Sequence, residues 1–174
     1  MRASVAHAIA RPPVKATFRT RLPDDTATER AGRAFARGLA GGMVVTLSGE
    51  LGAGKTSFAR GVLRGLGWTG PVKSPTYTLL EHYPLSNIYL YHFDFYRFAN
   101  PRDWETAGAA ELFTPASVAL VEWPERVAGL LPAADCAVRL EHLTEGDGRT
   151  LEIVATTTAG ERCVAELEGA PSAP

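Results

Sequence analysis

Apolar and polar positions along this chain follow two rhythms, one near 3.6 residues and one near two, so helices and strands are both expected. Thr26, with Glu29 three residues on, forms a capping-box pattern ahead of a helix reaching to about Ala40, in which Ala31, Phe35 and Leu39 share one face. Gly41 and Gly42 stop it. The run MVVTLS (43 to 48) reads as a short buried strand, and KTSFARGVLRGL (55 to 66) as the next helix, with Phe58, Val62 and Leu66 inward. Residues 76 to 83 and 88 to 96 are aromatic-rich and extended around PLSN, the pattern of a hairpin. Asn100 and Pro101 open a helix to about Phe113, with Asp103 and Glu105 near its positive end. SVALVEW (117 to 123) is a buried strand ending in a carboxylate, followed after Pro124 by a short helical turn. Residues 135 to 143, 150 to 156 and 162 to 168 alternate as three further strands, with an EGDG turn between the first two.

Strand–helix units interspersed with hairpins predict a three-layer α/β fold whose sheet mixes parallel and antiparallel pairing. A chain of 174 residues, 45% of them hydrophobic, is long enough for one domain with a substantial core and too short for two. We place that domain at 22–168. Residues 1–21 carry Arg2, Arg11, Lys15, Arg19 and Arg21 with no acid, Pro12-Pro13 interrupts any helix, and no sustained amphipathic stripe is visible, so they read as a flexible basic extension in preference to a mitochondrial-type presequence; 169–174 read as a flexible tail.

Charge narrows the partners. The 18 basic and 19 acidic residues nearly cancel, which argues against a broad basic face for nucleic acid. No apolar run approaches the roughly 20 residues that span a bilayer, so a cytoplasmic protein without a membrane partner is expected. Cys136 and Cys163 lack metal-type spacing and read as buried free thiols. Only Lys15, Lys55 and Lys73 are lysines, and two of them fall inside motifs.

Residues 49 to 56, GELGAGKT, satisfy the pattern G-x-x-x-x-G-K-[ST] between a strand and a helix, which makes the fold P-loop NTPase-like. Small residues at Gly52, Ala53 and Gly54 let successive N–H groups turn inward as an anion nest at a helix N-terminus. Lys55 is then placed to reach β and γ phosphates, and Thr56 to offer its hydroxyl to Mg²⁺. Glu122 after VALV and Asp94 after IYLYHF are strand-end acids. Glu122 suits the metal, Asp94 suits orienting or deprotonating an attacking water, and either alone could be a solvated acid. Trp123 fits core packing or a lid over the nucleotide. Lys73, Ser74 and Thr76 around Pro75 fit a loop against the γ phosphate or an ordinary strand entry, and His92 fits a structural histidine. None of the three lysines follows an asparagine, so the guanine-reading N-K-x-D is absent and adenine is favoured. A P-loop small-molecule kinase is the alternative, although no arginine-rich lid insertion is visible.

GELGAGKT, VKSPTYTL (72 to 79), YHFDFYR (91 to 97) and VEWPER (121 to 126), in that order, resemble the bacterial TsaE (YjeE) ATPases over about Leu22 to Leu167. The resemblance implies an ATPase subunit, weak alone, that serves threonylcarbamoyl modification of adenosine 37 in tRNA. It would work on a TsaB–TsaD heterodimer whose TsaD subunit performs the transfer, meeting tRNA only through that complex and resetting it by ATP hydrolysis. Carried over, Leu51, Gly52, Ala53 and Gly54 form the phosphate loop with Lys55, Thr56 and Ser57 at the start of its helix. Thr56 and Glu122 hold Mg²⁺, while Lys55 and Asp94 support hydrolysis. Trp123, Asp25, Thr26 and the late turn at Gly148 and Arg149 lie against the nucleotide. The basic leader before Leu22 is outside the family pattern.

Overall fold

Segments that are apolar on both faces, such as VVTLS and SVALVE, can be buried only in the middle of a sheet covered from two sides. They occupy that place in the computed structural model, which describes residues 13–170. In chain order the strands are β1 (Ala16–Leu22), β2 (Val44–Ser48), β3 (Leu80–Pro84), β4 (Tyr89–Asp94), β5 (Ser117–Glu122), β6 (Cys136–His142) and β7 (Arg149–Ala155). The helices are α1 (Asp25–Ala36), α2 (Lys55–Gly65), α3 (Pro101–Ala107) and α4 (Thr158–Glu168), with 3₁₀ turns at Ala109–Leu112 and Pro124–Val127. One seven-stranded sheet runs β1-β7-β6-β2-β5-β4-β3. Its centre, β6-β2-β5-β4, is parallel, while β3 and the β7–β1 pair extend it antiparallel. The mixed three-layer architecture matches the sequence expectation.

Alternation along β5 shows the layering. Val118 and Leu120 join Phe35, Phe58 and Cys163 in the core beneath α1, α2 and α4. Ala119 and Val121 point the other way, to Phe93, Phe95, Trp104 and Val127 beneath α3 and the 3₁₀ turns. Beyond β2 this second face is uncovered: Ala137, Arg139 and Glu141 of β6 and Thr17, Arg19 and Arg21 of β1 are exposed. Cys136 and Cys163 are buried and free, as expected.

Several elements depart from the sequence reading. The segment assigned to a basic extension supplies β1 from Ala16 onward: its arginines sit on the uncovered face, where Arg19 pairs with Glu152, while Phe18 packs inward against the core. The rest of that extension, residues 1–12, and residues 171–174 of the tail lie outside the described residues. The third late strand is instead α4. Gly160, Cys163, Val164 and Leu167 are buried at helical spacing, and the Thr157 hydroxyl caps the start by accepting from Gly160 N at 3.1 Å. Asp24, rather than Thr26, caps α1, accepting from Ala27 N at 2.7 Å; Thr26 lies within the helix, which ends at Ala36. Residues 76–79 turn instead of extending, so β3 begins only at Leu80. The helix opened by the Asn100–Asp103 capping box breaks at Gly108, left-handed at φ 62°, before the first 3₁₀ turn.

The packing of α1 on α2 depends on close backbone approach. A methyl group at Gly32 would stand 2.3 Å from Phe58 O, and one at Gly61 would stand 2.1 Å from Glu29 O. Alanine normally favours a helix over glycine by about 1 kcal/mol, but here a Cβ meets backbone atoms that cannot rotate away. Gly32→Ala is therefore expected to destabilise the domain by about 1–3 kcal/mol in urea unfolding; a stabilised variant would show that the helices separate at little cost.

Candidate functional site

The parallel strands β2, β5 and β4 deliver their C-terminal ends to one rim, and the glycine loop spans it. Gly54 precedes α2 with φ 105°, and no side chain caps the helix there, so its first N–H groups face the cleft. The cleft encloses about 280 Å³. Gly52, Gly54, Lys55, Thr56 and Ser57 form one wall, and Asp94, Glu122 and Trp123 the other. Asp25 and the strongly exposed Leu51 complete the rim.

Asp94 and Glu122 are register partners across β4 and β5, and both are buried. Thr56 Oγ1 donates to Glu122 Oε1 at 3.3 Å. Asp94 Oδ2 accepts from Thr76 Oγ1 at 2.9 Å, and its Oδ1 accepts from Tyr96 N at 2.9 Å. Lys55, only 4% exposed, donates to the carbonyls of Gly49 (2.7 Å) and Glu50 (2.9 Å) and lies 4.4 Å from the centre of the Trp123 ring. Its ammonium is thus folded back on the loop's own carbonyls. Burial lowers its pKa, and the negative charges of Glu122, Asp94 and Glu125 work against that shift. Trp123 holds a left-handed conformation (φ 57°) that non-glycine residues seldom adopt, which turns the chain out of β5 and sets the indole against Lys55.

A second cluster sits at the start of α1. Arg149, the first residue of β7, donates to Asp25 Oδ1 at 2.7 Å and to Ala53 O at 3.3 Å, and Ser57 Oγ donates to the same Asp25 oxygen at 3.2 Å. A side chain at Gly54 would collide with this arginine, 2.2 Å from its Nη1. Ala53 is fully buried beneath the loop, and Thr26, exposed on the first turn of α1, does not line the cleft. Of the VKSPTYTL segment, Ser74 and Thr76 reach the cleft and Lys73 does not. Tyr96 also lines it. The sequence reading passed over Tyr96, although its place two residues beyond Asp94 was a usable signal.

An oxygen-only pair, the Thr56 hydroxyl and the Glu122 carboxylate, fits a hard divalent ion such as Mg²⁺. Among the described residues no group of three or more His, Cys, Asp or Glu side chains could hold an ion without other ligands. The Thr56–Glu122 pair therefore fits an ion that completes its shell with oxygen ligands from outside the chain.

The family model for threonylcarbamoyl adenosine biosynthesis protein TsaE matches residues 22–151, well over half of the chain. The chain belongs to the TsaE family. It is 40% identical over 148 residues to the tRNA threonylcarbamoyladenosine biosynthesis protein TsaE of Haemophilus influenzae, covering 82% of this chain and 92% of that one. The TsaE protein of Bacillus subtilis is 37% identical over 146 residues, with 83% and 87% covered. Among solved structures, that of Bacillus subtilis YdiB superposes with a TM-score of 0.75 at 30% identity, covering 90% of this chain and 96% of that one. The TsaE family acts in tRNA threonylcarbamoyladenosine biosynthesis, and the P-loop NTPase-like fold expected from the sequence is the fold observed.

The surroundings of Lys55 make a titration prediction. In ¹³C NMR of the protein labelled at lysine Cε, Lys55 should titrate below the ordinary lysine value of 10.5. Glu122→Gln should move it further down by removing a charge that holds the proton on. A midpoint above the ordinary value, or an upward move in the variant, would contradict this electrostatic account.

Proposed function

We propose that this TsaE-family chain is the ATP-binding and ATP-hydrolysing subunit of a cytoplasmic tRNA threonylcarbamoylation assembly, acting on a TsaB–TsaD pair. The observation that carries the reading is the convergence of an uncapped helix N-terminus, a buried lysine and two register-paired carboxylates on one cleft. The helix amides and Lys55 complement polyphosphate, and the Thr56–Glu122 pair suits the accompanying ion. Bound Mg²⁺ would neutralise charge on the β and γ phosphates, held by Thr56 and Glu122.

The remaining roles belong to the chain's own side chains. Lys55 leaves the carbonyls of Gly49 and Glu50 for the phosphates, exchanging two neutral acceptors for anionic oxygens. Asp94, oriented by Thr76 and the Tyr96 amide, receives the attacking water's hydrogen bond and aligns it with the γ phosphorus. Arg149 and Asp25 flank the loop where the nucleoside end extends, with Trp123 beside Lys55. Transfer of the threonylcarbamoyl group is left to TsaD, as the family resemblance implies, and the cleft described here is read as serving hydrolysis alone.

ATP turnover by the purified chain, alone and with a TsaB–TsaD pair, tests the proposal: slow turnover alone and stimulation by the pair are expected. Indifference to the pair, or phosphate passed to a metabolite as in a kinase, would sink it. Lys55→Ala should weaken ATP binding roughly 10- to 100-fold by calorimetry through loss of charge-assisted contacts. Asp94→Asn should leave binding near wild type and slow hydrolysis by about 10²-fold or more; if binding vanished instead, Asp94 would belong to the ion's coordination.

A further inference from the structure

Behind the cleft wall lies an imidazole that neither the nucleotide nor its ion would touch. His92, in β4, is fully buried. Its Nε2 lies 2.9 Å from Glu122 Oε1, the same oxygen that accepts from Thr56. Its Nδ1 is buried and has no hydrogen-bond partner. Glu122 Oε2 meets no protein donor in the hydrogen-bond network of the described residues.

The orphan nitrogen decides the tautomer. With the proton on Nε2, the ring donates to the carboxylate and Nδ1 presents a bare lone pair. With it on Nδ1, a buried N–H would lack an acceptor and Glu122 would face a second lone pair, at a cost of about 1–3 kcal/mol for the unsatisfied donor alone. The ring is thus a donor to Glu122. It is surrounded by fully buried apolar neighbours on its own strand and on β5, such as Leu90 and Leu120, and a leucine or phenylalanine would fill the same space without stranding a nitrogen. Glu122 is the single described polar contact that its polarity serves.

We infer that His92 is a positioning residue for Glu122. By taking Oε1 from behind, it fixes the carboxylate so that Oε2 is presented to the ion that accompanies the nucleotide. This rests on the ATP reading above, and it makes a narrower claim: the part of nucleotide affinity that comes from Mg²⁺ depends on His92, and the metal-free part does not.

Calorimetry with ADP, in Mg²⁺ and in EDTA, separates the two parts. The wild-type chain should bind more tightly with Mg²⁺. His92→Leu should lose roughly 10- to 100-fold of that gain, the range for outer-shell partners of metal sites, and keep its EDTA affinity within about twofold. His92→Gln, whose amide N–H can occupy the place of Nε2, should restore most of it. If His92→Leu does not fold, as judged by thermal melting, the shorter His92→Asn replaces it in the same comparison. An undiminished Mg²⁺ gain in the variant, or equal losses with and without Mg²⁺, would overturn the positioning role and leave the ATP reading standing. A wild-type chain that gains nothing from Mg²⁺ would overturn both.

Discussion

Parallel pairing of β4 with β5, in the register that sets Asp94 opposite Glu122, is the constraint on which the site depends. Two buried carboxylates side by side repel one another in a medium that screens poorly, so the arrangement calls for nearby positive charge or hydrogen-bond donors. The fold provides them from four directions: Lys55 from α2, Thr56 beside it, Thr76 from the loop before β3, and His92 from behind. The four groups come from three separate stretches of chain, namely α2, the loop before β3 and β4, and the sheet order brings them together. The glycine loop is shaped by the same rim, because its lysine must lie over the acids and its backbone must admit Arg149 at Gly54.

Much of this was readable without coordinates, for a physical reason. GELGAGKT, VALVE and IYLYHFD each combine a burial pattern with a chemically special residue at its end, and strand burial alone directs that residue to the sheet's edge. What escaped notice was decided by tertiary context. Arg19 and Arg21 read as an unstructured basic leader, because whether a strand tolerates arginines on one face depends on that face lying uncovered. Residues 162–168 alternate well enough for a strand, yet burial at Gly160, Cys163, Val164 and Leu167 shows that a helical stripe covers β1 and β7. His92 passed as structural because sequence spacing cannot reveal its diagonal reach to Glu122 on the neighbouring strand.

The helix layer and the site are mechanically one unit. Gly32 and Gly61 let α1 lie against α2 at backbone distance, and α1 begins at Asp25, which receives Ser57 and Arg149. A displacement of α1 would therefore carry a rim residue of the cleft with it. The left-handed Trp123 plays a comparable part on the opposite wall, where a strained backbone sets an aromatic face against the lysine.

The pairing of β1 with β7 bears on the order in which the molecule can assemble. Ala16 lies opposite Ala155 and Leu22 opposite Arg149, so the first described strand has no partner until residues 149–155 have been synthesised. The entropy of closing so long a loop rises only slowly with length, but such distant contacts form late. The mutual pairing of β2, β5 and β4 involves no residue beyond Glu122, so the strands that present the lysine and its two acids precede β7 in the order of synthesis. The bridge from Arg149 at the start of β7 to Asp25 at the start of α1 likewise requires β7 to be present. The wall that carries Lys55, Asp94 and Glu122 thus lies within an earlier part of the chain than the Arg149 contact that completes the rim.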